Sequence, residues 1–201
     1  MTMPLDDLSD LPEEALLARY AAGDRMAARV LVLRLSPRLL SYVYRLLRDR
    51  AEAEDVVQEA LLRLWRMAPA WRPGEARVTT WLYRVATNLV TDRQRARQRR
   101  RVAALEDAPE PADSAPGAVA QLIEADRMAA LEAALACLPE RQRQAVILRH
   151  LEGLSNPEIA TILEIGVEAV ESLTARGKRA LAAALAGQRA ELGYEDEEAL
   201  P

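Results

Sequence analysis

The 201-residue chain is 50% hydrophobic and 29% charged, with a formal net charge of −4. That length suits one domain or two small ones. A single cysteine, Cys137, and a single histidine, His150, exclude an internal disulfide, an ordinary Cys/His metal cluster and most His- or thiolate-based catalysis. No catalytic residue, metal or cofactor is therefore expected. No apolar run is long enough for a membrane span, and the acidic start, Met1–Asp10, does not read as a secretory signal. These features predict a cytoplasmic, non-enzymatic protein with no membrane insertion.

The net charge conceals a segregation. Residues 1–18 carry five acids and no base, as do residues 191–201. Residues 19–101 carry 19 Arg against 8 acids, or +11, whereas 102–126 carry six acids and no base. Residues 127–190 are nearly balanced, with eight bases and seven acids. A positive first half implies a polyanionic partner. Of the 27 bases, 26 are Arg and one is Lys178; a GC-rich coding bias accounts for that choice but not for where the charges lie.

Apolar residues recur at helical spacing along most of the chain, and Ala, Leu, Arg and Glu dominate. The pattern predicts helices over 12–21, 24–48, 52–68, 78–100, 119–137, 140–152, 156–164 and 167–186. Between them, Pro109, Pro111, Pro116 and Gly117 mix with Glu106, Asp107, Glu110 and Asp113, the composition of a flexible linker. The expected fold class is all-α: two small helical domains joined by an acidic linker, the second a helix-turn-helix. The division runs 1–101, linker 102–118, 119–190 and an acidic tail 191–201. Each domain is too small for a large core and should gain order from a partner. Asp49 to Glu52 and Ser155 to Glu158 both fit the spacing of a capping box.

Three segments carry candidate function. On the helix through 53–66, Ala53, Val56, Val57, Ala60, Leu61 and Leu64 form a core face. Asp55, Gln58, Glu59, Leu62, Trp65 and Arg66 form another, mixing acids with large apolar groups. It is either a second buried side, an ordinary solvated face, or a protein-docking face anchored by Leu62 and steered by the acids.

On the next helix, Leu82, Val85, Ala86 and Leu89 share a side. Arg84, Asn88, Thr91, Arg95 and Arg99 form a polar stripe able to contact bases and phosphates. Trp81 and Tyr83 open the helix and suit stacking on unpaired bases. Six of the nine residues from Arg93 to Arg101 are Arg, with Asp92 the only acid nearby in sequence. Nucleic acid is the expected partner, against the plainer reading of a solvated basic helix end.

The third segment, Leu154 to Ala186, has the pattern of a helix-turn-helix. Glu168, Glu171, Ser172, Ala175, Arg176 and Arg179 share the candidate reading side; Val167, Val170, Thr174, Gly177 and Leu181 share the other. A helix pair used only for packing remains the alternative. Cys137 is expected as a buried helix residue, and His150 at the surface or a helix end.

Together these segments resemble the bacterial extracytoplasmic-function (ECF) sigma factors, small two-domain specificity subunits of RNA polymerase. The carriers are Ala53-Glu54-Asp55-Val56-Val57-Gln58-Glu59 with Leu62 to Trp65, and Trp81-Leu82-Tyr83-Arg84-Val85-Ala86 with Asn88. Leu138-Pro139-Glu140-Arg141-Gln142-Arg143 and Glu152-Gly153-Leu154-Ser155 with Glu158-Ile159-Ala160 complete them. The resemblance spans roughly Glu14 to Leu185.

It implies that Asp55, Gln58, Glu59, Leu62 and Trp65 dock on the β′ clamp of core RNA polymerase. Trp81, Tyr83, Arg84, Asn88, Thr91 and Arg95, with the loop from Trp71 to Thr80, would recognise and open the promoter minus-ten element. Glu168, Ser172, Arg176, Lys178 and Arg179 would read the minus-thirty-five element of promoter DNA, near the polymerase β flap. The linker would thread the polymerase toward the RNA exit path. An anti-sigma factor is the implied inhibitory partner, and a stress or signal regulon the implied target. A stand-alone helix-turn-helix regulator is the alternative, and a purely protein-binding adaptor a more remote one.

Departures from the family pattern concentrate in the second domain. Glu164 stands at the turn, usually Gly, and Gly166 at the cap. Glu171 and Leu173 occupy positions often basic in relatives.

Overall fold

The structure, a computed structural model, describes residues 8–72, 74, 77–104 and 119–186. Regular structure among these residues is entirely helical. The helices are α1 (Glu13–Ala21), α2 (Arg25–Leu47), α3 (Arg50–Met67), α4 (Val78–Ala104), α5 (Val119–Ala136), α6 (Glu140–Val146), α7 (Asn156–Leu163) and α8 (Val167–Ala186). A 3-10 turn follows α3, and α6 runs into a π-helical turn over Ile147–Leu151. Helix α4 continues past the predicted end at residue 100. Most of the acidic linker (105–118) and the whole acidic tail lie outside the described residues.

Local chemistry sets the boundaries. Asp24 caps α2 by accepting from the Met26 amide, and Arg19 holds the same carboxylate at 3.1 Å. Asp49 accepts from the Glu52 amide at 3.0 Å and starts α3. At Ser155 the capping box is complete: its hydroxyl accepts from the Glu158 amide while Glu158 accepts from the Ser155 amide. Two orphan amides of α7 are thereby satisfied.

Helix α7 ends on Glu164 at φ 54°, ψ 48°, in the left-handed region. A residue with a Cβ costs about 1 kcal/mol more than Gly there. Gly177 lies on α8 against α6, and a Cβ there would meet Val146 Cγ2 at 2.5 Å. That glycine is a close-packing residue rather than a flexible one.

Leu16, Leu17, Leu31, Leu39, Tyr42, Leu64 and Leu82 fill the core of the first half; Leu135, Ile147, Leu148, Ile159 and Val170 fill the second. The buried side chains join into one continuous cluster, with α4 packed against α7. The two halves of the chain thus pack on one another.

Cys137 corrects an expectation. It is exposed, because α5 ends at Ala136 and the following residue that turns inward is Leu138. His150 is exposed at the end of the π turn, as its sequence position suggests. Partial burial, then the cations of Lys178 and Arg149, hold its imidazole below its ordinary pKa.

Candidate polymerase and DNA interfaces

Helix α3 buries Ala53, Val56, Val57, Ala60, Leu61 and Leu64 as its periodicity requires. Its opposite side exposes Asp55, Gln58 and Leu62, the last 44% exposed. A leucine this open beside a carboxylate and an amide is a candidate anchor for another chain. Glu59 is half-buried and accepts from Arg63 at 2.8 Å. That hydrogen bond keeps its carboxyl below the usual range, although slight desolvation opposes it. Trp65 is less available than its sequence position suggests: it packs on Tyr20, with ring centroids 4.8 Å apart at 56°.

Helix α4 places Arg84, Asn88, Arg95 and Arg99 in the open and Thr91 half-buried. Asn88, Thr91 and Arg95 line one wall of a polar cleft of about 800 Å³. Thr91 donates to the Thr87 carbonyl at 2.9 Å. Trp81 is half-buried, edge-on to Trp71 at 6.2 Å. Tyr83 is only 4% exposed and donates to Glu152 Oε2 at 2.5 Å. In this arrangement it cannot stack on a base, because the second half of the chain covers it.

The arginine run divides by role. Arg93 donates to the Glu52 carbonyl at 2.8 Å. Arg97 pairs with Asp49 and Glu52. Asp92 is therefore not the only acid near the run in space. Arg95, Arg99 and Arg100 remain exposed.

On α8, Glu168, Ser172, Arg176, Lys178 and Arg179 are all exposed, while Val170 and Gly177 are buried. Val167 departs from its expected inward side; at the first position of the helix it is 39% exposed. Leu173 is half-buried against the core, so its apolar character serves packing.

Sequence reasoning used Glu152 only as a carrier of the family resemblance and Glu164 only as a departure at the turn, and gave neither its tertiary partners. Glu152 is 6% exposed and holds Arg38 as well as Tyr83, with Arg38 Nε at 3.4 Å. Arg38 also donates to the Glu152 carbonyl at 2.6 Å. The π turn that closes from the Glu152 amide to the Ile147 carbonyl positions this residue, and such turns often mark functional positions. The partners lie far away in sequence, so no local pattern reveals them.

Among the described residues, no group of three or more His, Cys, Asp or Glu is placed to hold a metal. No described helix is long and apolar enough to cross a membrane.

The Sigma-70 region 2 family model matches residues 31–100, and the Sigma-70, region 4 model matches residues 128–181. The chain is 32% identical to the RNA polymerase sigma-H factor of Pseudomonas aeruginosa, over 89% of this chain and 96% of that one. It is also 32% identical to the ECF RNA polymerase sigma-E factor of Escherichia coli, over 85% of this chain and 93% of that one. Among solved structures it resembles the sigma factor RpoE in complex with the anti-sigma factor NepR from Bartonella quintana. The TM-score is 0.66 at 23% identity, over 77% of this chain and 94% of that one. It also resembles CnrH in complex with the cytosolic domain of CnrY, with TM-score 0.65 at 24% identity over 87% and 97% of the two chains. At these identities the structures share the fold. With both sigma regions matched in order and full-length relatives above 30% identity, the chain belongs to the extracytoplasmic-function family of RNA polymerase sigma factors.

Proposed function

We propose that this sigma factor divides its work among three faces. Asp55, Gln58, Glu59 and Leu62 dock on core RNA polymerase at the β′ clamp, with Trp65 supporting the face from beneath through Tyr20. Arg84, Asn88, Thr91 and Arg95, flanked by Trp81, read and open the minus-ten element, and Tyr83 can join them only where the second half does not cover it. Glu168, Ser172, Arg176, Lys178 and Arg179 read the minus-thirty-five element, with the β flap nearby. The chain acts in the cytoplasm and performs no chemistry of its own. Catalysis belongs to the polymerase.

One observation carries this reading. Exposed Leu62, beside Asp55 and Gln58, lies on one side of α3, while the exposed Arg84 and Asn88 lie on α4. Arg93 and Arg97 bind these two helices into one unit. A polymerase contact and a promoter contact are thereby held at fixed separation, which positions promoter DNA relative to the enzyme. The expected physical sequence is docking, then unstacking of bases whose cost is offset by polar and stacking contacts on α4. An anti-sigma partner is supported by the similar folds of RpoE and CnrH, solved with NepR and CnrY.

The test is reconstitution. The purified chain is mixed with core polymerase and a genomic promoter library, and transcripts are sequenced. Promoter-dependent transcripts are expected. Absence of transcripts together with absence of core binding refutes the reading, and tight duplex binding without polymerase would favour a stand-alone regulator.

A further inference from the structure

The second half carries an apolar groove that the described residues leave open. Leu131 and Leu135 of α5, Val146 of α6, Leu151 of the π turn and Leu181 of α8 line it. Leu151 is 39% exposed. The rim is cationic. Lys178 and His150 stand on it, and Lys178 and Arg149 are the charges that act on the imidazole, both against its protonation. Among the described residues, no carboxylate pairs with Lys178 or Arg149; the Arg149 guanidinium donates to the Leu154 carbonyl at 2.9 Å instead. The groove encloses about 190 Å³, less than the about 300–1,000 Å³ of a small-molecule site. It suits an anchoring side chain on a peptide.

We propose that this groove seats the chain's own acidic tail, with Leu192 and Tyr194 as apolar anchors and the carboxylates of residues 195–198 over the cationic rim. The assignments of promoter and polymerase faces do not enter this inference. Charge is its first support: residues 191–201 carry five acids and no base, opposite a rim with no carboxylate of its own. The order of residues is the second. Leu192 and Tyr194 directly precede Glu195-Asp196-Glu197-Glu198, so anchors and charges are spaced for one small site with an apolar floor and a basic edge. Reach is the third. Leu181 lies only about 8 Å back along the helix axis from Ala186, and the six residues from Ala186 to Leu192 can span up to about 20 Å. Gly187, directly after α8, suits a reversal of the chain. Seating also answers an electrostatic problem. An unpaired acidic segment on a helix-turn-helix half would repel DNA phosphates, whereas a seated one spends its charge on the rim.

Cys137 supplies the probe. It is the only cysteine of the chain, it is exposed, and it lies two residues beyond Leu135 of the groove. A nitroxide on Cys137 of the full chain broadens the amide NMR signals of any residue held near it. Signals of residues 191–201 are compared with the nitroxide oxidised and reduced. Strong broadening is expected at 192–198 in about 0.05 M salt, weakening about fivefold in about 0.5 M salt, where the charges are screened. Neutralising the acids together (Glu195→Gln, Asp196→Asn, Glu197→Gln and Glu198→Gln) should weaken it about as much, because each exposed pair adds little but several act at once. Lys178→Glu should also release the tail, and adding Glu197→Lys/Glu198→Lys should restore the broadening. Leu192→Ser/Tyr194→Ser should abolish it at low salt as well, through loss of the anchors.

Tail signals equally sharp with oxidised and reduced label overturn the proposal. Broadening that survives both Lys178→Glu and the neutralised tail overturns this groove as the seat. A mixture of isotope-labelled Cys137→Ser chain with nitroxide-bearing unlabelled chain separates contact within one chain from contact between two. Broadening in that mixture means that the tail of a second copy fills the groove, and overturns the intrachain contact; sharp signals there, with broadening in the singly labelled chain, support it.

Discussion

Arg97 on α4 holds both acids at the start of α3, its guanidinium 3.3 Å from Asp49 Oδ2 and 3.0 Å from Glu52 Oε1. Asp49 is also the cap of α3. One side chain thus couples the first turn of α3 to α4. The groups are about a third exposed, which limits the strength of the pairs through solvent screening. Arg97→Ala should cost about 1 kcal/mol, or about 2–4 °C in Tm for a chain of this size. The loss should shrink at high salt. Thermal melts at two salt concentrations check this; an effect independent of salt would assign Arg97 a packing role instead.

Gly177 is predicted to resist substitution despite lying inside a helix. Alanine would gain about 1 kcal/mol in helix propensity. Its Cβ would also press against Val146 Cγ2, which is buried and branched and has little room to swing away. Overpacking costs about 1–3 kcal/mol, so Gly177→Ala should destabilise on balance. Adding Val146→Ala should recover part of the loss, giving a favourable coupling in a double-mutant cycle. Strict additivity of the two changes in urea unfolding would show that the helices simply move apart.

Glu158 links stability to pH. Partial burial alone would raise its pKa, but hydrogen bonds from Ser155 and Arg77 outweigh burial and hold it below the usual value of 4.5. A lowered folded-state pKa means stability that is fully present above pH 4.5 and lost as pH falls through the lowered value. Glu13 acts in the opposite sense, since burial and then Glu14 raise its pKa; its contribution is present at low pH and fades as pH rises through the folded-state value. Ser155→Ala isolates the Glu158 contribution. It should cost about 1 kcal/mol near neutral pH through loss of the cap. The difference from wild type should narrow on acidification below pH 4.5. Paired melts across that range check the prediction, and a gap that widens in acid would contradict it.

Period and caps made the helices legible. Apolar spacing placed the six core residues of α3, and Ser155 with Glu158 marked the start of α7, because these interactions act within a turn or two of helix. The polar stripe from Arg84 to Arg99 was legible for the same reason. Tyr83 was not: its burial depends on Glu152, 69 positions later. Arg97 likewise finds its acids 45 and 48 positions earlier. Glu164 stood out in sequence as a misfit at a turn, and only tertiary contact with Arg84 supplies its reason. Charge totals located a cationic half but could not show that part of its charge is met by acids of the other half. Cys137 is exposed where a buried helix residue is expected, since the inward side at the end of α5 is taken by Ala134, Leu135 and Leu138.

The two outer faces of α3 and α4 should separate cleanly by mutation. Asp55 is exposed on the proposed docking face of α3, so Asp55→Arg reverses charge where a basic partner surface is expected and should abolish core binding without lowering Tm. Leu62→Ala removes an exposed anchor and should weaken core binding about tenfold, the effect of a moderate hot spot. Asn88→Ala should leave core binding intact, because Asn88 lines the cleft on α4 and not the α3 face. It should instead reduce open-complex formation about 10-fold through the loss of a base contact. Fluorescence competition for core polymerase and permanganate footprinting of promoter DNA measure the two steps apart. Equal losses of both activities in Asn88→Ala would mean that the two faces are one coupled surface, and would refute the division of roles between α3 and α4.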